Sequence, residues 1–147
     1  MKKITIMLAM MLTLTTTWAF TGEEAINKQA LTAFETQFAG ATDAAWSVDN
    51  EHYKVIFSLG GQSLFAFFGT DGEFLSVTRY LSPVQLPLYL QSSLRKSQNN
   101  AWVSDLFEVS TSRGTSYYVT LENAGTKTVL KSVNGRAWSV FQKDKRV

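Results

Sequence analysis

Few side chains in this sequence could do covalent chemistry, and their spacing assembles none of the common devices. A Ser-His-Asp relay needs a base, and the single histidine is His52, beside an Asp49-Asn50 turn with no nucleophile elbow near it. It reads as a solvent-exposed turn histidine. Zinc asks for three or four N, S or O ligands, and one histidine with no cysteine does not supply a usual set. Paired carboxylates could be drawn from Asp43, Asp49, Asp71 or Glu73, but their turn and strand-start positions suit solvated capping. Gly60-Gly61 and Asp71-Gly72 lack the strand–loop–helix setting that cradles phosphate. We therefore expect no enzyme, no metal site and no cofactor. What remains is recognition through large side chains: 10 Phe, 5 Tyr and 4 Trp in 147 residues.

The elements that must position those rings can be derived. Glu23 to Ala39 predicts a helix, with Ile26, Ala30, Leu31, Phe34 and Phe38 on one stripe, Thr21 or Gly22 as cap and Gly40 as stop. A second helix is expected from about Leu86 to Ser97, its start marked by Pro83 and Pro87. The rest reads as strands. Gly60-Gly61, Asp71-Gly72 and Asn134-Gly135 are two-residue hairpin signals, and Asn123-Ala124-Gly125 fits a three-residue loop.

Hairpin register then assigns faces. A Gly60-Gly61 loop pairs Phe57 with Leu64, Val55 with Ala66 and Tyr53 with Phe68. An Asp71-Gly72 loop pairs Phe68 with Leu75 and Ala66 with Val77. These eight share one face, which should lie under a helix. In the second half, Tyr117, Val119, Leu121, Val129, Trp138 and Val140 are expected on that face. The opposite face then carries Lys54, Ile56, Phe65, Phe67, Ser76 and Thr78, followed by Tyr118, Thr120, Thr128, Leu130, Ser139 and Phe141.

One unit is expected twice, over about 22–80 and 83–142. Ala45-Trp46 recurs as Ala101-Trp102, Tyr53-x-Val55-x-Phe57 as Tyr117-x-Val119-x-Leu121, and Asp71-Gly72 as Asn134-Gly135. The expected class is α+β, a tandem repeat of a helix plus a four-stranded antiparallel sheet. The helices should pack on one face of a curved sheet, with Trp46 and Trp102 in equivalent core places.

Residues 1–19 have the layout of a secretory signal peptide: Lys2-Lys3, an apolar run from Ile4 to Leu14, and Ala19 before cleavage. That run falls short of the ~20 apolar residues of a spanning helix. Removing 19 of 147 residues leaves 128, expected as a single domain over 20–147. Lys2 and Lys3 leave with the leader, which reduces 14 Lys+Arg to 12 against 12 Asp+Glu. A neutral chain has no nucleic-acid footprint. With no cysteine for disulfides, a periplasmic or secreted domain must stand on packing alone.

The set Phe34-x3-Phe38, Ala41, Ala45-Trp46, Tyr53-x-Val55-x-Phe57, the aromatic strand ending at Asp71-Gly72, and Leu86-Pro87 resembles the PepSY-like family. These are periplasmic proteins of Bacteroidetes described as β-lactamase-inhibitor-like in fold. The resemblance covers nearly the whole mature chain, departs from the family over Asp105 to Arg113, and implies one curved sheet with helices on its convex side. It implies no catalytic residues, and the fold name does not license inhibition.

The expected function is a non-enzymatic module that binds a protein or peptide of the cell envelope through Phe65, Phe67, Tyr118 and Phe141. Exposed apolar patches mark such sites. The competing reading of the same four residues is that they stabilise the sheet by cross-strand pairing. A small-molecule carrier and a protease-associated envelope factor are the other readings.

Overall fold

The first helix starts later than its apolar stripe suggests. The computed structural model describes residues 22–49 and 51–145, and the leader expected over residues 1–19 lies outside them. Glu23–Ala25 form one 3-10 turn, and helix α1 runs over Lys28–Gln37. Asn27 is the cap: its side chain accepts from the Gln29 N–H at 2.7 Å, which satisfies a donor the first turn leaves free. Its amide also donates to the Thr70 carbonyl at 3.2 Å and ties the helix start to the Asp71-Gly72 turn. Gly40, at φ +86°, follows the last turn. Helix α2 spans Leu88–Ser97, with Pro87 at its N-cap and Pro83 opening a 3-10 turn at Pro83–Gln85. Neither proline removes a helical hydrogen bond there.

Eight strands follow in two runs: β1 (Thr42–Val48), β2 (His52–Leu59), β3 (Gln62–Gly69) and β4 (Phe74–Tyr80), then β5 (Trp102–Thr111), β6 (Gly114–Glu122), β7 (Thr126–Val133) and β8 (Ser139–Lys145). They form one sheet whose spatial order is the chain order, every neighbour antiparallel. This corrects the expected tandem of helix-plus-four-strand units. β4 pairs with β5 from Val77↔Ser110 to Tyr80↔Phe107, so the sheet runs unbroken and two short helices accompany it. The physical reason is edge pairing. Two four-stranded halves would each present an open row of N–H and C=O groups here, and joining β4 to β5 removes both rows.

Register in the first half follows the glycines. Gly60 and Gly61 both have positive φ, and Tyr53↔Phe68, Val55↔Ala66 and Phe57↔Leu64 pair as expected. Ala66↔Val77 also pairs, but a bulge beyond Phe67 sets Phe74, not Leu75, opposite Phe68. Phe74 therefore joins the first core. That core gathers Ile26, Ala30 and Phe34 with Trp46, Tyr53, Val55, Phe57, Ala66 and Phe68. Phe34 is its hub, with ring centroids 5.4 Å from Trp46 and 5.0 Å from Phe57, both near edge-on, the arrangement aromatic quadrupoles favour.

The second half departs by one residue. Asn123 Oδ1 accepts from the N–H groups of Gly125 and Thr126 and from the Thr126 hydroxyl, while the Asn123 N–H donates to the Thr126 carbonyl. The turn is thus one residue longer than Asn123-Ala124-Gly125, and Glu122 faces Lys127. Because side chains alternate, the extra residue exchanges faces. Leu130 pairs with Val119 and enters the second core, which holds Leu86, Leu90, Leu94, Leu106, Val119 and Leu121. Val129 goes to the opposite face with Phe107 and Tyr118, and Thr128, opposite Leu121, moves to the core side. Val140, expected in the core, pairs with Leu130 on edge strand β8 and is exposed.

Trp102 is a second correction. Trp46 is 3% exposed and Trp102 52%. Trp46 lies opposite Val55, and the residue opposite Val119 is Leu106, not Trp102. The two Ala-Trp pairs are therefore out of structural register by four residues. Trp102 pairs with Glu122 at the strand end, and Val103 packs on the core instead.

Candidate functional site

The face turned away from α1 and α2 carries a row of rings. Cross-strand neighbours on one face come within reach of each other directly or diagonally, and here they do so strand after strand. Phe65 on β3 meets Tyr80 on β4 at 5.9 Å between centroids, edge-on, and Tyr80 meets Phe107 on β5 at 6.4 Å. Phe107 stacks on Tyr118 of β6 at 5.2 Å and 17°, and Tyr118 meets Phe141 of β8 edge-on at 5.6 Å. Two ammonium groups cap the row. Lys54 Nζ from β2 lies 5.1 Å from the Phe65 centroid, and Lys131 Nζ from β7 lies 5.3 Å from Tyr118 and 5.7 Å from Phe141. Each is a cation–π contact, and burial holds the Lys54 ammonium below its ordinary value.

Of the four residues expected to bind, three fall in this row. Tyr118 is 2% exposed, Phe65 half-buried and Phe141 36% exposed. Phe67 does not join them; it is 3% exposed, opposite Ser76, with its ring 5.8 Å from that of His52. Tyr80, 50% exposed, and Phe107, buried, are members that the sequence reading missed. Both sit at the β4–β5 junction, where 21 residues separate the strands and no short turn sets a register to count from. The usable signal was Ser-Val-Thr-Arg-Tyr over 76–80, whose alternation puts Tyr80 on the face of Thr78.

His52 is not a solvated turn residue. It is 6% exposed, with Nε2 3.2 Å from Asp49 Oδ2. Asp49 Oδ1 accepts from the N–H groups of Glu51 and His52, so the carboxylate closes the β1–β2 turn. Nearby Ser47 Oγ donates to the Lys54 carbonyl at 3.4 Å. Among the described residues no group of three or more His, Asp or Glu could hold a metal ion, and no helix is long and apolar enough to cross a membrane.

The polar members of the row's surroundings are arranged differently on the two faces. On the helix side Arg79 bonds Glu108 through Nε at 3.1 Å and Nη2 at 3.4 Å, and Gln62 through Nη1 at 2.7 Å. This seam lies between the two apolar cores. Tyr117 stands beside it, its phenol raised by burial first and by Glu108 second. On the ring side Asp105 faces Thr120. Burial pushes the Asp105 carboxyl above its ordinary value, Lys127 and the Leu106 N–H draw it part of the way back, and Glu122 adds to the rise. Burial likewise raises the Tyr80 phenol, with Asp105 adding to the effect.

The sequence matches no protein-family model and no curated protein. Solved structures do match. A BLIP-like protein from Bacteroides fragilis superposes with a TM-score of 0.71 at 19% identity, over 82% of this chain and 86% of that one. A DUF2874 family protein from Bacteroides ovatus gives 0.72 at 16% identity, over 82% and 88%. A Bacteroides eggerthii chain, provisionally described as a periplasmic protein, gives 0.68 at 14%, again over 82% and 88%. None of these three is described as PepSY-like, so that finer name has no support here. At such identities the likeness concerns architecture alone, and the architecture of this chain is BLIP-like.

Proposed function

We propose that this chain is an exported, non-enzymatic binding module that recognises a protein or peptide through its helix-free sheet face. The observation that carries the reading is the continuous ring row Phe65–Tyr80–Phe107–Tyr118–Phe141 with a lysine at each end. Its buried members hold the row rigid, and Tyr80 and Phe141 remain exposed to a partner. Rigid aromatic anchors give large contact area at low entropic cost, which is why they dominate binding hot spots. The module works in the periplasm or outside the cell. A leader over residues 1–19, cleaved near Ala19, and the Bacteroides eggerthii neighbour described as periplasmic support that placement.

The test uses the members of the row that reach the surface. Phe67 is a poor probe because it is buried, so its loss reports on packing. Phe65→Ala, Tyr80→Ala and Phe141→Ala combined should abolish retention of a native envelope partner while the melting temperature falls by only a few degrees. Undiminished retention by the folded triple variant would remove the row from the function.

A further inference from the structure

Beside Tyr80 lies a shallow, open cleft of about 330 Å³, lined by Tyr80, Leu81, Pro83, Val103, Ser104, Asp105 and Leu106. An irregularity between Val103 and Asp105 breaks the β5 alternation at this point. The wall is mixed: Tyr80, Leu81, Pro83, Val103 and Leu106 give it apolar surface, Ser104 a hydroxyl-bearing residue, and Asp105 its one carboxylate. An open cleft of this kind can take one side chain, its stem against the apolar part of the wall and its head at a placed polar group.

Two further observations concern what the cleft lacks. Arg79 is engaged with Glu108, and Lys127 stands 3.9 Å from Glu122, which also accepts from the Ser104 hydroxyl at 2.8 Å. Among the described residues, no cation stands within ion-pair distance of Asp105. Directly across the ladder, Thr120 is 1% exposed and its hydroxyl has no hydrogen-bond partner. Buried polar groups normally have partners, and one left without calls for an explanation. Thr120 lies beneath the surface and outside the cleft lining, so the half-buried Asp105 carboxylate is the acceptor open to a donor that carries positive charge.

We propose that the cleft seats a basic side chain, lysine or arginine, of the partner segment that lies along the ring row. Its methylene stem runs over Leu81, Pro83, Val103 and Leu106, as long basic side chains bury their stems against apolar surface. Its charged head meets the Asp105 carboxylate, with the Tyr80 ring flanking it. This assignment rests on the ring row being the docking face and adds the chemistry of one contact to it. An incoming cation would add to the partial compensation that Lys127 already gives Asp105 against burial and Glu122.

The experiment takes the protein as the periplasm of an expressing cell processes it. It is titrated with three acetylated, amidated pentapeptides, Phe-Ala-X-Ala-Phe, where X is arginine, lysine or citrulline. Citrulline keeps the shape of arginine without its charge. The two cationic peptides should bind at least tenfold more tightly than the citrulline peptide and should shift the amide resonances of Asp105 and Thr120. Asp105→Asn should erase that tenfold preference. Equal affinity for all three, or a preference unchanged in Asp105→Asn, overturns the cation site. If such charge-blind binding still falls in Phe65→Ala/Phe141→Ala, the ring row stands without it. No binding by any peptide up to millimolar concentration also overturns the site, while the row is judged separately by partner retention. Should Asp105→Asn fail to fold, Asp105→Ser decides in its place by the same loss of preference for the cationic peptides.

Discussion

Gly72 shows how one missing side chain can join two elements. It is buried at φ +87°, and a Cβ there would stand 2.5 Å from Gln29 Cβ and 2.8 Å from the Ala30 N. The Asp71-Gly72 turn is thus pressed on the backbone of α1, and the Asn27 amide bond to Thr70 fastens the same contact from the other side. Gly72→Ala meets both a left-handed backbone and a clash with main-chain atoms, so neither a rotamer change nor a small shift relieves it. Strain of this kind and overpacking each cost about 1–3 kcal/mol. We expect Gly72→Ala to lose roughly 2–5 kcal/mol in urea unfolding, against less than about 1 kcal/mol for the open Gly22→Ala.

At the scale of elements, what was legible in the sequence depended on how each register was set. The Gly60-Gly61 turn admits one backbone solution, so Val55 and Ala66 could be placed by counting, and they lie where counting put them. The Asn123 turn was opaque because its length is decided by a side chain. Asn123 Oδ1 gathers three donors and holds four residues where three were counted, and Leu130 and Val129 change places as a result. Trp102 misled for a related reason: a dipeptide match carries no information about strand register. The α1 cap was missed because Asn27 lies inside an apolar periodicity that begins before it. Most of the candidate row was visible as alternation around Phe65 and Tyr118, and its centre was not, since β4 meets β5 only in three dimensions. Asn123→Ala removes all three side-chain acceptor bonds of the turn. At about 0.5–1.5 kcal/mol per net hydrogen bond it should destabilise by roughly 1.5–4.5 kcal/mol in thermal or urea unfolding. Loss near zero would mean that the hairpin register is set elsewhere.

For the whole molecule the informative place is the β4–β5 junction. On the helix side the first core, around Phe34, and the second, around Leu90, are separate apolar clusters with the Arg79–Glu108 pair between them. On the other side Tyr80 and Phe107 pack across the same junction. Backbone pairing, an ion pair and a ring contact thus couple the halves at one line, in place of the two-unit architecture expected from the sequence. A continuous ladder of this kind should unfold as one body. Trp46 reports on the first core and Trp138, whose indole N–H donates to the Leu90 carbonyl at 3.3 Å, on the second. Single-tryptophan variants keeping one or the other should give the same urea midpoint as far-ultraviolet circular dichroism. Midpoints that separate would show that the junction is too weak to make the halves one cooperative unit.

The order β1 to β8 also bears on how the chain reaches this state. Each strand finds its hydrogen-bonding partner in the strand just before it, so the growing edge is always the most recently made one. Loop-closure entropy rises with the length of chain that must be looped out, and folding slows as contacts become remote in sequence. Three hairpins in each half close over a few residues, and only the step from β4 to β5 spans the 21 residues that include α2. A polypeptide delivered N-terminus first can therefore assemble as a zipper, with one pause, during which β4 waits with its outer edge open until β5 arrives.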